Sequence, residues 1–87
     1  MGMPRAEVEK LVRDALPGAR VVATDLTGTE DHWHLRVEWS GFGGMKLFAQ
    51  HRRLMDVFQP HLEAVAGGPI HAVQFETSVP ESDPSSD

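Results

Sequence analysis

Five histidines, at positions 32, 34, 51, 61 and 71, are the residues of this 87-residue chain best suited to transition-metal chemistry, because it has no cysteine. A neutral imidazole donates a nitrogen lone pair to zinc, copper or iron. Without thiolates the chain supplies neither a disulfide framework nor a sulfur cage, so soft-metal chemistry must rest on histidine or on sulfur brought by a partner. The spacings match no zinc signature. No two histidines stand four apart on a helix with a glutamate base, and His32-Trp33-His34 merely places two rings on one face of a strand. Any site is therefore assembled by folding. His32 falls where a hairpin loop meets its second strand, and His71 opens the last strand after Gly67-Gly68-Pro69, so both are expected at the margin of a sheet. His51, on an intervening helix, could come near them and is a candidate metal ligand, as an alternative to His32, or a supporting residue, while His34 and His61 are expected on wet faces.

Other chemistries find less support. No strand-turn-helix elbow presents a serine, and Glu30-Asp31 lies in a loop with the remaining acids scattered over helix surfaces, where solvation explains them. The chain is not expected to be an enzyme. Gly41-Phe42-Gly43-Gly44 satisfies the GxxG of a KH nucleic-acid module, but it follows a strand directly, and a strand-to-helix turn is the simpler reading. Lys46, Arg52 and Arg53, with Phe42 and Phe48 nearby, form the one candidate footprint for a nucleic acid.

Positioning these residues falls to a few elements. Val8, Leu11, Val12, Ala15 and Leu16 mark one face of a helix over 5–16, ended by Pro17-Gly18. Arg20 to Leu26 and His32 to Trp39 read as a hairpin, with Trp33, Leu35, Val37 and Trp39 on the face that helices should cover. After a flexible Ser40–Gly44 turn, Leu54, Val57, Phe58, Leu62 and Val65 resume helical spacing, with Pro60 enforcing a kink or a second piece near Gln59. Ile70 to Thr77 is a final strand. The order α-β-β-α(α)-β gives an α+β class, with a three-stranded sheet and helices on one face.

Length and charge agree with a single small domain. At 40% hydrophobic and 24% charged, the chain is too apolar for a disordered segment, yet it has no apolar run long enough to cross a membrane. The formal charge is −5, and much of it sits in residues 78–87, a Pro- and Ser-rich acidic stretch expected to be a disordered tail after a domain of residues 1–77. The N-terminus carries no secretory pattern, so a cytoplasmic protein is expected.

Several of these residues together carry a family resemblance. Asp31-His32-Trp33 opening a strand, Phe42-Gly43-Gly44, Leu47 with Gln50-His51-Arg52, and Ile70-His71-Ala72-Val73 leading to Thr77 and Pro80 resemble the BolA family over nearly the whole chain. The resemblance implies a class II KH-like fold. It also implies partnership with a monothiol glutaredoxin, in which a two-iron, two-sulfur cluster is shared between the glutaredoxin cysteine, a bound glutathione and ligands of the BolA-like chain. His71 matches the family's histidine ligand in the last strand, and His32 is the nearest match to the ligand of the hairpin loop. The isolated chain would carry no cluster and would be a monomer or weak homodimer. Mixed ligation by imidazole and thiolate raises a cluster's potential, which suits trafficking or sensing of iron or redox state. The resemblance implies a second role as well, direct DNA binding by a regulator of stress response and morphology. Gln50, standing where many members have arginine, lessens the basic surface this role needs. The tryptophan usual after the Thr-x-x-Pro element is also missing, and the hairpin loop is short.

Overall fold

The computed structural model describes residues 2–80. Its elements are α1 (Arg5–Ala15), β1 (Arg20–Asp25), β2 (His32–Glu38), α2 (Leu47–Phe58), α3 (Glu63–Ala66) and β3 (Ala72–Ser78). A 3-10 turn over Ser40–Phe42 leads toward α2 and another over Gln59–His61 joins α2 to α3. The α+β architecture is thus the expected one. Pro60 lies in the first turn of that second 3-10 segment, where its missing amide leaves no helical hydrogen bond unmade, and this divides the apolar stripe into α2 and α3.

The sheet order is β1-β2-β3, with β1 antiparallel and β3 parallel to the central β2. Parallel neighbours require a long crossover, usually helical, and residues 39–71 supply it with α2 and α3. The parallel register pairs His32 with Ala72 and Glu38 with Ser78. Both strands therefore start at the same end of the sheet.

Alternation in β2 buries Trp33, Leu35 and Val37 and leaves His34 and Arg36 on the open face. Helices α1 and α2 cover the apolar side with Val8, Val12, Leu54 and Phe58, all fully buried. Burying side chains of this size contributes about 1.5–3 kcal/mol each. Both indole N–H groups find carbonyls: Trp33 Nε1 donates to Glu30 at 3.1 Å and Trp39 Nε1 to Pro17 at 3.0 Å.

Two expectations need correction. The Ser40–Gly44 segment is not merely a flexible turn: it contains the 3-10 turn, and Phe42 is fully buried against Trp39, edge to face at 5.2 Å. Gly41 has to be small there, since a Cβ would lie 2.4 Å from the Trp39 ring. The expected tail at 78–87 starts too early, because Ser78 closes β3 opposite Glu38 and its carbonyl accepts the Trp39 amide at 3.0 Å. Residues 81–87 of that tail lie outside the described residues. Among the described residues no helix is long and apolar enough to cross a membrane.

Candidate metal site

His32 and His71 meet at the end of the sheet where β2 and β3 begin, with ring centroids 4.8 Å apart and planes tilted by 36°. The parallel register is the cause. His32 opens β2 beside Ala72, so His71, one residue earlier, falls next to it. An antiparallel β3 would instead have carried His71 to the Glu38 end.

Asp31 fixes the pair from two directions. Its backbone carbonyl accepts the amides of His71 at 2.8 Å and Ala72 at 3.1 Å. Its carboxylate Oδ1 accepts from Nδ1 of His32 at 3.0 Å and from the hydroxyls of Thr29 and Thr27. Hydrogen bonding from Thr29 first, and then from His32, holds the Asp31 carboxyl down at about 2. The loop that carries these threonines is itself tied to the end of β1: the Asp25 carboxylate accepts the amides of Thr27, Gly28 and Glu30.

His71 has its own carboxylate. Nδ1 of His71 lies 3.1 Å from Oε1 of Glu63, the first residue of α3. The Glu63 amide donates to the Ile70 carbonyl at 2.8 Å, and the Ile70 amide donates to His61 at 2.9 Å. This exchange folds α3 back over the start of β3 and sets Glu63 beside the residue that follows Ile70. Gly68 permits the approach, because a Cβ there would stand 2.3 Å from the His61 carbonyl oxygen.

Both rings are reachable from solvent, the side chain of His32 at 35% exposure and that of His71 at 58%. With Nδ1 of each ring engaged by a carboxylate, Nε2 is the nitrogen left to bind a ligand. Among the described residues no group of three or more His, Cys, Asp or Glu is arranged to hold a metal. Two imidazoles suffice for the terminal positions of one iron in a two-iron, two-sulfur cluster with mixed ligation, so the donor set fits a cluster whose other iron is held by thiolates from elsewhere.

The remaining candidates are placed apart from this pair. His51 lies on α2 with its ring over Phe75, centroids 6.2 Å apart, along an open groove between α2 and β3 that also exposes Phe48 and Arg52. His34 sits on the open sheet face, 3.6 Å from Glu76. Lys46 precedes α2, and Arg52 and Arg53 follow within it, exposed. The two arginines diverge: Arg53 stacks over the Trp39 ring at 5.6 Å, while Arg52 lines the groove with Asp56. Phe42 is removed from this footprint by its burial. Gln50 does structural work, donating from Nε2 to the Met45 carbonyl at 2.9 Å and accepting from the Thr77 hydroxyl, which ties α2 to β3.

Sequence reasoning missed Asp31 and Glu63. Asp31 had a signal in its adjacency to His32. Glu63 had none, since its contact with His71 depends on the turn at 67–69.

Fold and site together define a small α+β domain that presents a carboxylate-backed pair of imidazoles at one end of a mixed sheet. The profile of the BolA-like protein family matches residues 13–82, and the chain belongs to that family. Protein RP812 of Rickettsia prowazekii is 27% identical over 81 residues, covering 92% of this chain and 100% of its own. BolA1 from Arabidopsis thaliana superposes with a TM-score of 0.76 at 19% identity, covering 97% of this chain and 100% of that one. The BolA domain of SufE1 from Arabidopsis thaliana gives 0.75 at 21% identity, with 92% and 95% covered. At these identities the two plant structures speak for the shared fold.

Proposed function

We propose that this chain is a non-enzymatic partner of a monothiol glutaredoxin, and that the two share a two-iron, two-sulfur cluster as cargo for trafficking or for sensing iron or redox state. The observation that carries this reading is the convergence of His32 and His71, 4.8 Å apart, in a chain with no cysteine. Two neutral imidazoles alone retain a cluster poorly, whereas a glutaredoxin thiolate and glutathione supply the soft donors that this chain lacks. Each half of the site is incomplete without the other, which favours a transferable cluster over a resident one. Imidazole must be neutral to bind metal, so acid weakens the shared state.

The test is reconstitution of the chain with a monothiol glutaredoxin, glutathione, iron and sulfide. A coloured heterodimer is expected, with an absorption spectrum that changes when His71→Ala is used. An unchanged spectrum with unchanged association overturns the reading. DNA binding through Lys46, Arg52 and Arg53 is the alternative, and the divergence of the two arginines gives it less support. It requires salt-sensitive duplex binding that is lost when the three are replaced.

A further inference from the structure

Resting on the proposed cluster-sharing role, we infer that Asp31 and Glu63 are positioning residues that hold His32 and His71 as Nδ1–H tautomers and so present both Nε2 atoms to an incoming iron. Each ring has one carboxylate on the same nitrogen, at 3.0 Å from Asp31 and 3.1 Å from Glu63. A carboxylate accepts but does not donate, so the nitrogen facing it carries the hydrogen and the opposite nitrogen keeps its lone pair. Metal-ligating histidines are commonly oriented in this way, and losing the outer partner costs about 10–100-fold in metal affinity. The two halves differ in rigidity. Asp31 is gripped by the Thr27 and Thr29 hydroxyls, and its carbonyl also fixes the backbone of His71. Glu63 stands on the four-residue α3 with its side chain 66% exposed. His32 is therefore the more firmly presented ring, and His71 the one whose orientation depends on a movable carboxylate.

The proposal is tested on the metal-free chain by long-range proton–nitrogen NMR of the imidazoles in mildly alkaline buffer. Both His32 and His71 should appear as Nδ1–H tautomers, whereas His34, placed 3.6 Å from Glu76 through Nε2, should not. Glu63→Ala should return His71 alone toward the Nε2–H form, and Asp31→Ala should do so for His32 alone. Glu63 is exposed, so its variant probes the proposal even if the Asp31 variant folds poorly, and the wild-type tautomers need no variant. Nε2–H rings in the wild type, or tautomers indifferent to these substitutions, overturn it. The glutaredoxin reconstitution separates the two ideas. Correct tautomers with no shared cluster would leave the positioning intact and remove the proposed cargo. A shared cluster with unaffected tautomers would do the reverse. With both correct, Glu63→Ala should weaken cluster retention in the heterodimer about 10–100-fold.

Discussion

Asp31 and His71 are joined through the main chain across the start of two parallel strands: the Asp31 carbonyl accepts the His71 amide at 2.8 Å while the Asp31 carboxylate holds the ring of His32. One residue thus sets the backbone of one imidazole and the orientation of the other. The pairing belongs to the fold as much as to the site, since it extends the β2–β3 ladder by one step.

The Asp31 carboxyl should titrate near 2, below its ordinary value of 3.8. A carboxyl whose value is depressed on folding adds stability above its unfolded value, and that contribution is lost as pH falls through the folded one. The hairpin loop should accordingly weaken between about pH 4 and pH 2. A carbon-detected titration of Asp31 checks this. A midpoint near 2 agrees, and one near 3.8 contradicts the loop geometry. Thr29→Ala should raise the midpoint, because the Thr29 hydroxyl is the largest cause of the shift.

Trp33→Ala should destabilise the domain by about 3–5 kcal/mol, because the indole is fully buried and its removal leaves a cavity under β2. Val22→Ala, on the open sheet face and 58% exposed, should change stability by less than about 0.5 kcal/mol. Urea unfolding of the two variants measures the contrast. Similar losses would place the core on the wrong side of the sheet.

Gly68→Ala should cost about 1–3 kcal/mol, since the new methyl meets the His61 backbone and forces the turn before β3 to move. That turn sets Glu63 beside His71, so the variant should also disturb the His71 ring resonances. Gly67→Ala is the comparison. Open space surrounds Gly67, but its φ of 67° costs an alanine about 1 kcal/mol. If Gly68→Ala proves no more damaging than Gly67→Ala, the close approach is not as described.

Much of this was legible in the residue order. The stripe from Val8 to Leu16, the alternation through Trp33, Leu35 and Val37, and the break at Pro60 all arise from local periodicity and backbone chemistry, and these dictate the elements. Placing His32 and His71 at the sheet margin also followed from where strands start. The direction of β3 was the missing step, although a helical crossover over residues 39–71 points to a parallel partner. The long-range contacts stayed hidden for another reason. Glu63 reaches His71 only through the hydrogen bonds among His61, Glu63 and Ile70, which no spacing encodes. Phe42 stands among glycines and was grouped with a surface footprint, yet it is fully buried, and only Gly41, close against the Trp39 ring, is required to lack a side chain there.

The most direct measurement is of nitrogen bound to iron. This chain, labelled with nitrogen-15 in its histidines, is joined to unlabelled glutaredoxin around a reduced cluster and measured by pulsed electron paramagnetic resonance. Two labelled imidazole couplings are expected, one lost in His32→Ala and the other in His71→Ala. No labelled coupling, or couplings that survive both substitutions, would show that the paired rings do not hold the metal.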